Sequence, residues 1–490
     1  MAERPLDQHE APLLDAMAAM LKERLTPFSL PGHKQGRGAD PATLAVLGER
    51  VFRCDVALDG AMDDRTASHG YDSRAEKLAA AAMGAGQVLL STNGSSMSLQ
   101  VASLGVAGPG DEIVLARNLH KSNYNALILS GARPVFVQPE WDTALELAHS
   151  ITPAAVEAAL AEHPAAKAVV MVSPTYYGVI ADVAGVAAVC HARGIPLIVD
   201  DAWGAHLIFH PELPASALES GADIAVSSLH KAGAGLMQGS VIAIQGDLVD
   251  PVRIQHTLAL LESTSTSMLI LAALDGARRQ LAVGGKQLLD RVIGLSRDVR
   301  RGVAAIDGLS VMGREVLTTP GTIDLDETKV VIDVSALGIT GFAASDWLIA
   351  NHRVLCELAD HRRVMTMITL GDDEATVARL LSTLTELAAA APSLPGRGTV
   401  SIPDVRSLAT ELVISPREAF FAPRHPVRLA DAEGEVAAEP AIPYPPGIPV
   451  ILPGERWTRP IIDYMRAGIA AGMHAADSAD PKLETVLVVG

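Results

Sequence analysis

The sequence predicts an α/β fold, in which a large domain with a mostly parallel seven-stranded sheet precedes a small α+β domain and a C-terminal appendage. Between residues 85 and 250, short apolar runs without period-two alternation are separated by longer helix-like stretches. Such runs are typical of strands that are buried on both faces and joined through helices. A second strand and helix pattern over 329–391 and a proline-rich tail after residue 396 indicate the two smaller parts.

Seven strands are predicted in the large domain, at residues 88–91, 113–116, 135–138, 168–172, 196–200, 224–228 and 241–244. Between them, Thr152 and Pro153 provide an N-cap and a first-turn proline for one helix, and Gly194 ends another. The proline-free stretch over 268–306 is interpreted as long connecting helices, with weak points at the glycines Gly276, Gly284 and Gly285.

The small domain is predicted to contain strands at 329–334 and 364–368 and helices at 343–351 and 373–391. Pro392-Ser-Leu-Pro-Gly396 has the composition of a linker. The predicted boundaries are 1–50 for an N-terminal arm, 51–306 for the large domain, 307–395 for the small domain and 396–490 for the C-terminal domain.

The composition excludes several classes of protein. With 39 Lys and Arg against 57 Asp and Glu, the net charge of −18 argues against binding to nucleic acid or anionic membranes through overall charge. No apolar stretch approaches the ~20 residues of a membrane-spanning helix, and no signal peptide is indicated. Three scattered cysteines, Cys54, Cys190 and Cys356, argue against a disulfide framework or a paired-cysteine metal site. We therefore expect a soluble, cytoplasmic protein.

Lys231 is the first candidate catalytic residue. The segment Ser227-Ser-Leu-His-Lys231 closes the predicted strand 224–228 and precedes the glycine-rich stretch 232–235. A lysine at the carboxyl end of a buried strand loses its proton more easily than a solvated lysine, and its amine can then form a Schiff base. An isolated His-Lys pair is ordinarily part of a solvated loop, so the assignment depends on the neighbouring motifs.

Two carboxylates, Asp200 and Asp201, end the strand over 196–200. In an enzyme that uses pyridoxal 5'-phosphate (PLP), a rigid aspartate keeps the pyridine nitrogen protonated, and the ring then accepts electrons. We assign that role to Asp200. The alternative for a strand-end aspartate is an N-cap of the next helix, and that role is better assigned to Asp201.

Two further segments follow predicted strands. Ser91-Thr-Asn-Gly-Ser-Ser96 opens a helix with backbone N–H groups and hydroxyls that suit a phosphate, although many similar turns bind nothing. His120 comes just past the strand 113–116, where an imidazole could stack on a cofactor ring or act as an acid or base, although a lone histidine is usually structural. All four segments lie at strand ends, where ligands of open parallel sheets bind.

With these motifs in this order, the sequence resembles the ornithine/lysine/arginine decarboxylases of the aspartate-aminotransferase-like fold, PLP fold type I, in their shorter form without an N-terminal wing domain. The resemblance covers nearly the whole chain. It rests on the motifs Leu30-Pro-Gly-His-Lys-Gln-Gly36, Asn93-Gly-Ser-Ser96, Asn118-Leu-His-Lys-Ser122, Val199-Asp-Asp-Ala-Trp-Gly-Ala-His206, Ser228-Leu-His-Lys231, Ser263-Thr-Ser-Thr-Ser267, Tyr444-Pro-Pro-Gly-Ile-Pro449 and Pro453-Gly-Glu455.

The resemblance implies PLP as the cofactor. It implies that Lys231 forms the Schiff base, that Asp200 pairs with the ring nitrogen, and that the ring lies between His120 and Ala202. The residues implied to hold the phosphate are Ser95, Ser96, Ser228 and His230.

The resemblance also implies a homodimer, or a larger oligomer built from dimers, with shared active sites. In such enzymes a Thr/Ser pair from the neighbouring subunit completes the phosphate site, which points to Thr264 and Ser265. Glu455 is implied to meet the distal cation of the substrate, and Trp203 to line the pocket. The implied reaction is decarboxylation of arginine, lysine or ornithine to an amine of polyamine metabolism, with the short form favouring arginine and with Lys231 or His120 protonating Cα. No metal is required.

Some features leave alternatives open. Family members often carry proline and an aromatic residue where this chain has Thr266 and Met268, and residues 65–71 match loosely. An aminotransferase or a β-eliminating lyase would share Lys231 and Asp200. An aminotransferase would also need an arginine for the α-carboxylate, and Arg353, Arg362 and Arg363 are available by position. A non-catalytic PLP-binding protein is the third possibility.

Overall fold

The computed structural model describes residues 5–23, 25–57, 70–396, 403–408, 410–444, 447–470 and 472–490. Two compact units are distinguished, one formed by Met1–Val106 with Ile198–Leu288 and the other by Ala107–Leu197 with Leu289–Gly490. The division into four segments that is expected from the sequence stays a prediction. Within the described ranges, no helix combines the length and the apolar character that crossing a membrane demands.

The central sheet has seven strands, and each lies within two residues of its predicted position. Apolar side chains on both faces are buried along almost every strand, which explains why continuous apolar runs predicted them. The strands are β1 (Gln87–Ser91), β2 (Glu112–Ala116), β3 (Arg133–Val137), β4 (Val169–Val172), β5 (Leu197–Asp200), β6 (Ile224–Ser228) and β7 (Ser240–Ile244).

In the first unit, the strand order is β1, β7, β6, β5, and β7 alone runs antiparallel to its neighbours. The register aligns Ser91 with Ser240 and Ser240 with Ser228, so three serines lie side by side at one end of the strands. The helical segments of this unit are Pro12–Met20, Pro41–Leu47, Glu49–Cys54, Tyr71–Met83, Gly94–Val106, the 3-10 turn Leu207–Phe209, Leu229–Ala232 and Pro251–Leu261.

In the second unit, β2 pairs in parallel with both β3 and β4. As predicted, Thr152 caps a helix, since its side chain accepts a hydrogen bond from Ala155 N, and Pro153 follows. The helices beside these strands are Lys121–Ser130, Pro153–Glu162 and Val183–His191, and two short antiparallel pairs join Trp141–Asp142 to Leu147–Ala148 and Val179–Ala181 to Thr322–Leu325.

A four-stranded antiparallel sheet and two helices form the predicted small α+β part. Asp373 and Thr376 form a capping box at the start of the second helix. The strands, in sheet order, are Ser310–Val311, Lys329–Asp333, Arg363–Met367 and Leu358–Ala359, the helices are Gly341–His352 and Glu374–Ala390, and the 3-10 turns are Arg314–Thr318, Ser335–Leu337 and Ala391–Ser393.

The stretch expected to form several connecting helices is one helix, Met268–Ala304, so that prediction is wrong. A glycine inside a helix costs about 1 kcal/mol relative to alanine, which weakens the helix but does not break it. Two of its glycines are sites of close packing: an added Cβ at Gly276 would lie 3.3 Å from Leu14, and one at Gly285 would lie 3.2 Å from Phe209. These tertiary contacts stabilise the helix where its local propensity is low.

The C-terminal residues have a hydrophobic core of their own, built around Trp457, Ile461 and Met465, which are at most 1% exposed. Burial of these side chains explains how a proline-rich tail forms a compact appendage. Its elements are the 3-10 turns Val405–Leu408 and Leu429–Asp431, the helices Pro416–Phe421 and Arg459–Ala470, and the antiparallel pairs Arg424–Arg428 with Thr485–Val489 and Ile442–Tyr444 with His474–Ala476.

Candidate active site

Lys231 lies on the short helix Leu229–Ala232, which follows β6 directly. Its Nζ atom is 3.9 Å from the centre of the Trp203 ring, and Trp203 is 6% exposed. An ammonium group over a buried indole face is held by a cation–π interaction. The amine expected to carry the chemistry is therefore fixed against an aromatic wall of the first unit.

Asp200 is the last residue of β5 and is 3% exposed. Its Oδ1 accepts a hydrogen bond from Ala202 N at 3.4 Å, so Asp200, Ala202 and Trp203 share one tight turn. The N-cap role predicted for Asp201 is wrong. The helical turn that follows is Leu207–Phe209, and Asp201 Oδ2 instead accepts a hydrogen bond from Ser227 Oγ at 2.5 Å. Both residues are buried, so this hydrogen bond satisfies one oxygen of a carboxylate that has little access to water.

The predicted phosphate residues lie at three adjoining segments of the first unit. Gly94 begins its helix with a φ of +77°, which favours glycine, and its N–H donates to Gln238 O at 2.8 Å. Ser95 and Ser96 form the first helical turn. His230 Nδ1 lies 3.1 Å from Gly239 O. The contacts to residues 238 and 239 bring the start of this helix and the segment after β6 to the same place.

Ser228 adds a polar group that lacks a partner. Its hydroxyl is fully buried and makes no hydrogen bond to any residue that the structure describes. Two residues further along the chain, burial lowers the pKa of the His230 imidazole, another predicted phosphate ligand, below its ordinary value. A buried hydroxyl without a partner is costly unless a bound group satisfies it. Ser228 therefore fits the phosphate role that the resemblance implies.

His120 belongs to the second unit and is the N-cap of the helix Lys121–Ser130. Its Nδ1 accepts a hydrogen bond from Ser122 N at 3.3 Å and lies 2.8 Å from Ser122 Oγ. Because Nδ1 acts as the acceptor for a backbone N–H, the neutral ring carries its proton on Nε2. Ser122 thus fixes both the plane and the tautomer of the imidazole.

Glu455 also belongs to the second unit, and it is 2% exposed. Its Oε2 accepts hydrogen bonds from Arg117 Nη2 at 2.9 Å and from Leu452 N at 2.7 Å. Burial disfavours the charge on Arg117, yet the Glu455 carboxylate beside it raises the pKa of the guanidinium above its ordinary value. Sequence reasoning missed Arg117. The available signal was an arginine placed directly after a buried strand.

Thr264 and Ser265 are exposed on the loop before Met268–Ala304, where Ser265 N donates to Ser263 Oγ at 3.2 Å. Met268, the residue that departs from the family pattern, is fully buried at the start of that helix. Residues 65–69 of the loosely matching region, and Pro445 and Pro446 of the C-terminal motif, lie outside the described residues.

Two of the three arginines that could bind an α-carboxylate have protein partners. Arg363, which is 1% exposed, donates to Asp360 Oδ2 at 3.3 Å. Arg362 pairs with Asp333 at 2.9 Å. Arg353 is exposed at a φ of +55°. In the part of the chain that the structure describes, no cluster of three or more His, Cys, Asp or Glu side chains is arranged to hold a metal ion.

Two family models match the chain. The model described as "Orn/Lys/Arg decarboxylase, major domain" matches residues 11–376, and "Orn/Lys/Arg decarboxylase, C-terminal domain" matches residues 405–474. Among solved structures, lysine decarboxylase A from Pseudomonas aeruginosa superposes with a TM-score of 0.83 at 22% identity, covering 98% of this chain and 80% of that one. That likeness shows the shared fold.

Curated relatives extend over the full length of the chain. An arginine decarboxylase of Halalkalibacterium halodurans is 39% identical over 489 residues, covering 98% of each chain. An arginine decarboxylase of Bacillus subtilis is 37% identical over 492 residues, covering 99% of each chain. The chain therefore belongs to the Orn/Lys/Arg decarboxylase family.

Proposed function

We propose that this decarboxylase uses PLP to convert arginine to its amine, agmatine, and CO2. The observation that carries the proposal is the group at the strand ends of the first unit: Lys231 on the Trp203 ring, the buried Asp200, and the Ser228 hydroxyl without a protein partner. The choice of arginine is supported by the full-length relatives, which are arginine decarboxylases at 37–39% identity.

The residues present fit PLP. The buried hydroxyl of Ser228 and the N–H groups of the first turn of Gly94–Val106 supply donors for a phosphate. Lys231 supplies the amine for covalent attachment, and Asp200 supplies a buried carboxylate for a protonated ring nitrogen. We assign the ring-stacking role to His120, and the supporting observation is its orientation by Ser122.

When bound, PLP provides a protonated ring that accepts the electron pair released as the carboxylate leaves the amino acid. Asp200 keeps that proton in place, because its carboxylate is buried and rigid at the end of a strand. Lys231 or His120 delivers the proton that Cα needs, and the Trp203 ring holds the Lys231 ammonium in reach.

The partners of the arginines favour decarboxylation over transamination. Arg362 and Arg363 are engaged by Asp333 and Asp360, so neither offers an unpaired guanidinium to a substrate α-carboxylate. The third arginine, Arg353, is exposed. The presence of Lys231, Asp200 and Ser228 together also argues against a protein that binds the cofactor without catalysing a reaction.

The test is an assay of the purified enzyme with arginine, lysine and ornithine, in which CO2 and the product amine are both identified. We expect CO2 and agmatine from arginine and no keto acid. In parallel, borohydride-treated protein is digested and analysed by mass spectrometry. We expect the cofactor adduct on Lys231 and not on Lys121, a partly exposed lysine that serves as the control. Keto acid without CO2, or an adduct on another lysine, would show the proposal to be wrong.

We further infer a homodimer or dimer-based oligomer in the cytoplasm. The exposure of Thr264 and Ser265 supports a role in the phosphate site of a neighbouring subunit. Cys54, Cys190 and Cys356 form no disulfide with one another, which supports a reducing compartment. Light scattering tests the oligomeric state. The double variant Thr264→Ala, Ser265→Ala tests the shared phosphate site, and the quantity measured is its affinity for the cofactor.

A further inference from the structure

We propose that Arg117 is a positioning residue that holds Glu455 and the segment 449–455 at the strand end preceding His120. The inference rests on the proposed function, because it takes Glu455 as the acid that meets the distal cation of the substrate. It explains why a partly buried arginine stands between β2 and the motif Asn118-Leu-His120.

The guanidinium of Arg117 connects two distant parts of the second unit. Nη1 donates to Pro449 O at 2.7 Å, and Nη2 donates to Val450 O at 3.3 Å and to Glu455 Oε2 at 2.9 Å. The Arg117 side chain is 12% exposed and that of Glu455 is 2% exposed. A buried charge pair with additional hydrogen bonds fixes geometry, because moving either partner leaves a charge without compensation.

Two aromatic rings fix the guanidinium from the sides. The Cζ atom of Arg117 lies 5.6 Å from the centre of the Tyr124 ring and 5.2 Å from that of Phe136. The Tyr124 hydroxyl also donates to Arg117 O at 2.9 Å, and burial raises the pKa of Tyr124 to about 12, so the donor stays protonated. Lysine offers neither a planar group to stack nor a fork of donors.

These contacts orient the Glu455 carboxylate. Oε2 accepts from both Arg117 and Leu452 N, whereas none of the described residues donates a hydrogen bond to Oε1. Oε1 is therefore the oxygen that remains for the substrate cation. Because Arg117 already balances the carboxylate charge, recognition depends on the orientation of Oε1 more than on net charge.

The main test uses Arg117→Met, which keeps an unbranched stem but removes the charge and the donors. We expect the KM for arginine to rise about tenfold while kcat changes less than about threefold, the pattern of a lost binding interaction. Without substrate, we expect hydrogen exchange of the Leu452 amide to accelerate at least about tenfold, because its acceptor is no longer held.

Chemical rescue separates positioning from general damage. Arg117 lines a cavity of about 170 Å³ together with Asn118, Pro449 and Val450, which offers room for a guanidinium ion. We expect millimolar guanidinium to lower the KM of Arg117→Ala toward the wild-type value and to leave the wild type unchanged. General damage to the fold would not respond in this way, because the added ion replaces only the guanidinium and its hydrogen bonds.

Arg417→Met is the matched control. Arg417 also donates to two backbone carbonyls, Ile128 O and Leu129 O, both at 2.8 Å, and lies 5.4 Å from the centre of the Phe421 ring, but it is exposed. We expect its KM and the Leu452 exchange rate to stay within about twofold of wild type, as for most surface substitutions.

If Arg117→Met does not fold, Arg117→Lys replaces it, since lysine keeps the charge and loses only the fork. Folded Arg117 variants with wild-type KM and wild-type Leu452 exchange would overturn the proposal, as would an equal rise of KM in Arg417→Met. If the wild type released no CO2 from arginine, the proposed function would fail. The exchange comparison needs no substrate and would still show whether Arg117 holds this segment.

Discussion

Replacing Arg363 with methionine is expected to destabilise the second unit without weakening substrate binding. Arg363 is 1% exposed, and its Nη1 and Nη2 donate to Asp360 Oδ2 and to Leu145 O. The hydroxyl of Tyr177 donates to the same Asp360 oxygen at 2.9 Å. The guanidinium therefore links the small sheet to the turn between the short strands Trp141–Asp142 and Leu147–Ala148.

The magnitude follows from which partners the substitution leaves behind. Removing one member of a buried ion pair costs about 3–5 kcal/mol, because the other charge stays buried without compensation. Asp360 keeps the Tyr177 hydroxyl and two backbone N–H donors at 2.7 Å, from Arg362 and from residue 363 itself. These donors satisfy part of the carboxylate, so we expect a loss near the lower limit, about 3 kcal/mol of unfolding free energy.

The assay combines urea unfolding of the holoenzyme with the KM for arginine measured by CO2 release. We expect the KM of Arg363→Met to stay within about twofold of wild type, because a residue engaged by Asp360 is not a substrate ligand. Arg353→Met is the control: it removes an exposed arginine, and we expect less than about 0.5 kcal/mol change in stability. A KM raised tenfold or more at unchanged stability would identify Arg363 as an α-carboxylate ligand and refute this reasoning.

Three further predictions concern the cofactor residues and pH. Lys231→Ala is expected to abolish CO2 release and the absorbance of covalently bound cofactor; activity at the wild-type rate would remove Lys231 from catalysis. Asp200→Asn should retain cofactor but lower kcat by about 100-fold or more, because the ring nitrogen loses its charged partner; a normal kcat would contradict that role. Burial lowers the pKa of His149 and of His230, so both stay neutral in the folded chain where the unfolded chain binds protons. The unfolding free energy should therefore decrease as pH falls below about 6.5, and His149→Gln should reduce this slope in urea titrations at several pH values.

Local patterns predicted the elements that depend on neighbouring residues in the sequence. The seven central strands were found because consecutive apolar side chains are buried on both faces of a sheet. The same apolar runs placed Asp200 and Lys231 at strand ends; in the structure Asp200 is the last residue of β5, and Lys231 lies on the short helix directly after β6. The roles assigned to them stay predictions, since a position at a strand end limits the chemistry of a side chain but does not determine it.

Contacts between distant residues were decided by the tertiary structure alone. The helix Met268–Ala304 continues through its glycines because Leu14 and Phe209 pack against them. Asp201 binds Ser227 instead of capping a helix. Arg117 and Glu455 are 338 positions apart, and neither residue's surroundings in the sequence indicate the other. Hydrophobic period and helix caps act over a few residues and can be read locally, whereas the partner of a buried charge depends on which segments the folded chain brings together.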